Sequence, residues 1–166
     1  MSEIVKVGDK APDFELQRQD GGFFRLCETL KGKNVVLYFY PKDNTSDCTK
    51  QACKFRDQYE VFREQGAEVV GVSSDSLDTH QRFEKIHHLP FLLLSDKGGS
   101  VRSLYGVPRF LGIMPGRATY IIDKKGIVRH VFDSSTKPLE HVNKALEVLN
   151  RLNPEQETHK KSKAKA

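Results

Sequence analysis

The run NVVLYFY, residues 34–40, is the strongest constraint on what this chain can fold into. It does not alternate between apolar and polar residues. A strand with one wet face alternates, so an unalternating run reads as a strand buried on both faces. Such a strand needs a sheet around it and a layer of other elements above and below. Pro41 follows at once and stops the strand, because it carries no N–H to donate.

The rest of the chain supplies the covering layers. DFELQRQDGGFFRL reads as a hairpin turning at Asp20-Gly21-Gly22. After the run, Ala52, Phe55, Tyr59 and Phe62 fall three or four apart, which predicts a helix ended by Gln65-Gly66. AEVVGVSS is a second strand. Asp75 or Ser76 caps a helix whose inner face holds Leu77, Phe83 and Ile86. PFLLLSD is a third strand. RATYIIDKKGIVRHVF forms a hairpin turning at Lys124-Lys125-Gly126, and Pro138 opens a last helix with Leu139, Val142, Leu146 and Leu149 inward. Alternating strands and helices imply an α/β fold, a central mixed sheet flanked by helices on both faces. Ligands of such sheets sit at the carboxyl ends of strands, and Cys48 lies just past the end of the buried run.

At 166 residues, 37% hydrophobic and 30% charged, the chain suits one domain with a single core. The expected division is a domain over residues 1–152 and a basic, disordered tail over residues 153–166. Lys160, Lys161, Lys163 and Lys165 of that tail carry much of the net charge of +5. A solubilising end is the expectation there, not a specific nucleic-acid site. No apolar run approaches the roughly 18 residues of a membrane helix, so no membrane partner is expected. MSEIVKVGDK has neither an apolar signal core nor the Arg/Ser bias of a transit sequence, which predicts a cytoplasmic location; a transit peptide removed ahead of it would leave no trace. Three cysteines are too few, and odd in number, for a secreted disulfide scaffold. In a reducing compartment two nearby cysteines point to catalysis or metal binding.

A reactive cysteine acts as the thiolate, and a free thiol has a pKa of about 8.5. A helix N-terminus favours the anion through its unpaired N–H groups and dipole. Cys48 falls in the first turn of the predicted helix, on the face shared by Ala52, Phe55, Tyr59 and Phe62. Thr45 places a hydroxyl three residues before it. Arg117 and Arg109 are candidates for a fixed positive charge. Cys53 lies about 140° further round the helix, beside Arg56, Asp57 and Glu60. Positions five apart on an intact helix have Cα atoms about 8.7 Å apart, whereas a disulfide wants roughly 4.4–6.8 Å. If the two thiols join, the first turn or two of the helix must unwind.

At this point the chain resembles the peroxiredoxins, in particular the Q subfamily, also called bacterioferritin comigratory proteins. The pattern Pro-x-x-x-Thr-x-x-Cys is Pro41 to Cys48 here. The second cysteine five residues on is Cys53 in CTKQACKFRD. The arginine before a late strand is Arg117 in GRATYIID, and GVSSDSLDTHQRF, LPFLLLSD and YGV also resemble family segments. The likeness covers about residues 3–150. It implies a thioredoxin-like fold and a thioredoxin-dependent peroxidase without metal, haem, flavin or other cofactor. It also implies that Cys48 is the peroxidatic cysteine, attacking hydrogen peroxide or an organic hydroperoxide. Thr45, Arg117 and Pro41 would shape and polarise the site. Cys53 would resolve the sulfenic acid into a Cys48–Cys53 disulfide, which thioredoxin or a glutaredoxin-like donor would reduce.

One departure stands out. Many family members have Pro-Gly where this chain has Ser46-Asp47. An acid pointing inward would weaken the thiolate; the favoured reading makes Asp47 a helix cap that faces solvent. Cys27 has no motif and reads as a buried structural cysteine. Arg109 reads as solvent-facing, and Tyr38 and Tyr40 as core. The histidines show no ligand spacing with the cysteines, so zinc is not expected. A monomer is expected, with a weak dimer as the alternative. The rival function is a redox sensor or holdase switch built on the same disulfide.

Overall fold

The computed structural model describes residues 4–152; the expected tail over residues 153–166 lies outside the described residues. In chain order the elements are β1 (Glu15–Arg18), β2 (Phe23–Arg25), α1 (Leu26–Thr29), β3 (Asn34–Phe39), α2 (Ser46–Asp57), α3 (Tyr59–Glu64), β4 (Ala67–Ser73), α4 (Leu77–His87), β5 (Leu92–Ser95), α5 (Ser100–Tyr105), β6 (Arg109–Phe110), β7 (Met114–Pro115), β8 (Ala118–Ile122), β9 (Val128–Asp133) and α6 (Pro138–Leu152).

Seven strands form one mixed sheet in the order β2-β1-β5-β4-β3-β8-β9. β3 runs parallel to β4 and antiparallel to β8. All six of its residues are buried, as the unalternating run requires. Its side chains divide between the two faces. Val35, Leu37 and Phe39 join Leu26 and Leu30, from in and just after α1, and Val101 and Tyr105 of α5 in one core. Val36, Tyr38 and then Tyr40 join residues of α2, α3, α4 and α6 in the other. This is the thioredoxin-like arrangement, with helices on both faces.

Both expected hairpins are present. Gly21 turns the first at φ +90, a conformation glycine adopts without strain, and the Gly22 N–H is held by the Asp20 carboxylate at 2.9 Å. Three expectations need correcting. The helix after β3 breaks at Gln58 instead of running to Gln65. In α4, Ser76 caps as expected, accepting from the Thr79 N–H. The inward residues, however, are His80 and Phe83, while Ile86 is 62% exposed. In α6, Leu139 is exposed, and His141, Val142, Ala145, Val148 and Leu149 face the sheet. The last two errors share one cause: a histidine with partners for both ring nitrogens occupies the inner stripe, and hydrophobic counting assigns it to the surface. The short α5 and the β6–β7 hairpin carry too few periodic residues to announce themselves.

Candidate active site

β3 delivers the chain to the site. Tyr40 stays on the sheet through its N–H to the Val72 carbonyl, 3.1 Å. Pro41 then turns the chain away, half-buried. Residues 42–45 form a loop in which Asn44 takes φ +65, and α2 begins at Ser46. Thr45 is the helix N-cap in extended backbone. Its exposed hydroxyl donates to the Lys42 carbonyl at 2.8 Å, which fixes the loop and makes no cap bond.

Cys48 is buried at 2% exposure, in the apolar cluster with Tyr38, Ala52 and Phe55. Arg117, just ahead of β8, is itself 3% exposed. Its Nη2 donates to Cys48 Sγ at 3.4 Å and its Nη1 to Gln51 Oε1. Cys48 and Gln51 stand three apart on α2, so both face the guanidinium. Gln51 was missed in the sequence because a polar residue beside Ala52 reads as surface. Arg117 Nε and Gln51 Nε2 are buried donors with no protein partner.

Arg102 of α5 was missed as well. Its Nη2 donates to the Tyr40 carbonyl and its Nη1 to the Gly116 carbonyl, both at 2.7 Å. It thus ties the end of β3 to the residue before Arg117. Burial pushes its guanidinium below the usual arginine range, and Asp96 opposes that. Gly116 is required sterically: a Cβ there would lie 1.9 Å from the Pro108 carbonyl oxygen.

A second buried polar network holds the loop from behind. The Tyr40 hydroxyl donates to Asp43 Oδ1 at 2.5 Å, and His80 Nδ1 meets Asp43 Oδ2 at 2.5 Å. His80 Nε2 donates to the Leu94 carbonyl at 2.9 Å. The Asp43 N–H donates to Asp75 Oδ2 at 2.8 Å, and Ser73 Oγ to the same oxygen at 2.6 Å. Burial pushes the Tyr40 hydroxyl well above the usual phenol range, so it stays neutral and donates. Asp43, Asp75 and His80 offer ligand atoms within 4.8 Å of one another, the one such trio among the described residues. These atoms are already engaged with each other and with the backbone.

Cys53 is half-buried, not among exposed polar neighbours as expected. Its Sγ lies 3.9 Å from His87 Nδ1 at the end of α4. Both thiols are on α2, which is continuous between them. Asp47 is exposed in the first turn, so it faces solvent as expected, but Thr45 holds the cap position. Arg109 is exposed on β6 and has no bond to either cysteine among the described residues. Cys27 is exposed, contrary to expectation. Its backbone N–H donates to Asp13 Oδ1 at 2.9 Å, and a hydrogen bond with that carboxylate pushes the thiol up, which makes it a poor nucleophile.

Comparison with known proteins adds the following. Residues 7–131 match the AhpC/TSA family. Peroxiredoxin Q, chloroplastic, of Oryza sativa subsp. japonica is 48% identical over 149 residues, covering 89% of this chain and 68% of that protein. The protein of the same name from Sedum lineare is 49% identical over 149 residues, covering 89% and 80%. Among solved structures, peroxidoxin BcpB from Mycobacterium tuberculosis superposes with a TM-score of 0.82 at 38% identity, covering 89% of this chain and 97% of that one. The names of the plant relatives overturn the cytoplasmic expectation, since they point to a plastid. The composition of ten N-terminal residues was too little to report a compartment.

Proposed function

The chain belongs to the AhpC/TSA family as a Q-type peroxiredoxin and is a thiol-dependent peroxidase, and on that footing we propose that Cys48 is its peroxidatic residue and Cys53 its resolving residue. The observation that carries the first assignment is the Arg117 guanidinium, buried and donating to the Cys48 sulfur. A buried cation there balances the negative charge of a thiolate and, later, of the departing oxygen.

The thiolate attacks the terminal oxygen of the peroxide. The S–O bond forms as the O–O bond breaks, and the released alkoxide or hydroxide takes up a proton. The unpaired N–H groups of Arg117 and Gln51 are free to donate to the peroxide oxygens. Pro41 and Thr45 shape the loop that enters the site, and Arg102 ties the Tyr40 carbonyl to that of Gly116. Cys48 is left as a sulfenic acid. Cys53 then displaces its hydroxyl, giving the intramolecular disulfide, and thioredoxin or a glutaredoxin-like donor restores the dithiol. A monomer suffices for this cycle, because both thiols are on one helix. The plastid of the plant relatives is the compartment we take for it.

The test is stopped-flow consumption of hydrogen peroxide and of organic hydroperoxides with thioredoxin as reductant. Cys48→Ser abolishes turnover, and Cys53→Ser allows one round but no thioredoxin-driven cycling. Retention of peroxidase activity by Cys48→Ser would sink the central assignment. A disulfide that forms without coupled turnover would favour the sensor reading.

A further inference from the structure

The geometry points to His87 as the base that takes the proton from Cys53 in the disulfide-forming step. This rests on the reading of Cys53 as the resolving residue.

The last turn of α4 packs against the second half of α2. His87 Nδ1 faces Cys53 Sγ at 3.9 Å, within reach of a sulfur hydrogen bond. Arg56, three residues after Cys53, donates from Nη1 to the His87 carbonyl at 2.7 Å. The two helices are therefore joined at the place where thiol and imidazole meet. The Phe83 ring contacts the imidazole edge-on at 5.1 Å between centroids and limits its tilt. The helix stops one residue later, at His88 in left-handed backbone. His87 thus lies at the carbonyl end of a helix. The charged groups about it are Arg56 and its partner Asp57 from α2, and Glu84 and Lys85 from the preceding turn of α4. The arginine's charge is shared with Asp57 at 3.0 Å.

The chemistry needs such a group. Near pH 7 an ordinary thiol with a pKa of about 8.5 is only about 3% thiolate. In the step, the Cys53 S–H proton passes to His87 Nδ1, and the thiolate attacks the Cys48 sulfur. The S–S bond forms as the Cys48 S–O bond breaks. The hydroxide leaves as water, taking a proton from the imidazolium. Cys48 sulfur is reduced by the electrons that Cys53 sulfur gives up, so no outside oxidant is required. His87 can stay in place meanwhile. Opening the first turn of α2 frees Cys48 to approach, while Arg56 keeps the Cys53 half against α4.

The experiment mixes the reduced protein with one equivalent of hydrogen peroxide, quenches with a thiol-blocking reagent, and follows sulfenic acid and disulfide by mass spectrometry from pH 5.5 to 9.5. In the unaltered protein, disulfide formation should already be fast at neutral pH. In His87→Gln it should show a deficit at pH 7 of about tenfold, up to about thirtyfold, that closes at high pH, where hydroxide ionises the thiol without help. A deficit equal at every pH would mean a structural role and overturn the inference. So would a rate in the unaltered protein that climbs in step with hydroxide concentration through neutral pH, a result that does not depend on how the variant folds. Cys53→Ser separates the two readings. If it does not lengthen the life of the sulfenic acid, the resolving assignment fails. If it does, and His87→Gln matches the unaltered curve, only the role of His87 fails.

Discussion

The two ends of α2 are held in different ways. The first turn has little apolar anchorage: Ser46, Asp47 and Lys50 are exposed and Thr49 is half-buried. Cys48 joins the apolar cluster and, with Gln51, is bonded by Arg117, and the entering loop is held by Asp43 and His80. The last turns are held by rings. Phe55 stacks on Tyr38 at 4.5 Å and meets Phe62 and Phe91 at 5.6 and 6.2 Å. Polar contacts can be exchanged for water at small net cost, whereas pulling a phenylalanine from its cluster exposes area at about 25 cal/mol per Å². The difference teaches where the helix would open if the proposed disulfide forms. Unwinding should run from Ser46 to about Ala52 and stop before Phe55.

The largest way to break the contrast is to remove the anchor of the loop. Asp43→Ala leaves the Tyr40 hydroxyl and His80 Nδ1 buried without their partner. Leaving a buried polar group without its partner costs about 1–3 kcal/mol, and here two groups lose theirs. Chemical denaturation should read that loss. A change below about 1 kcal/mol would show that the rings alone order the site.

His141 tests the support behind Arg117. It accepts from the Thr119 hydroxyl at 2.8 Å and donates from Nε2 to the Ser134 carbonyl at 2.7 Å, pinning α6 to β8 two residues past the arginine. Burial holds its pKa down at about 4. The unfolded ring takes its proton near pH 6.5. Between those values the unfolded chain binds more protons, so the stability present above about pH 6.5 is lost as pH falls towards 4. The loss reaches about 3 kcal/mol. Denaturation midpoints of the unaltered protein and of His141→Gln should converge over that window; parallel curves would exclude His141 as the source.

Arg117→Met acts on the site itself. It keeps the length of the side chain and removes both the donor to Cys48 and the charge. By analogy with the loss of one preorganised donor, the rate constant for peroxide reduction should fall by about 100-fold, or about 2.7 kcal/mol. Sulfenic acid formation in a single turnover is the readout, and a fall of less than fivefold would make Gln51 and the helix terminus sufficient.

These residues also show what the sequence could and could not reveal. β3 was legible because burial on both faces leaves a pattern that little else imitates. Cys48, Cys53 and Arg117 were singled out through spacing and likeness, and the structure brings Arg117 onto the Cys48 sulfur. Gln51, Arg102, His80 and His141 were not, for a common physical reason. Each is a polar side chain taken wholly or partly out of water because distant partners satisfy it, and a partner 14 to 66 residues away leaves no local periodicity. Cys27 failed in the opposite sense: cysteines are usually buried, and this one lies on a four-residue helix whose only buried residue is Leu26.

The smallest effect belongs to the far end of α2. Arg56→Ala removes one half-exposed arginine's bond to the His87 carbonyl and its pair with Asp57, for a cost of about 1 kcal/mol. Amide exchange should register this as roughly fivefold lower protection across residues 54–57 in the dithiol form, with residues 46–52 unchanged. Forming the disulfide should do the reverse in the unaltered protein, stripping protection from residues 46–52 and leaving residues 54–57 slow. Loss of protection along the whole helix in the disulfide form would mean that the Phe55 cluster also opens, and the contrast between the two ends would then fail.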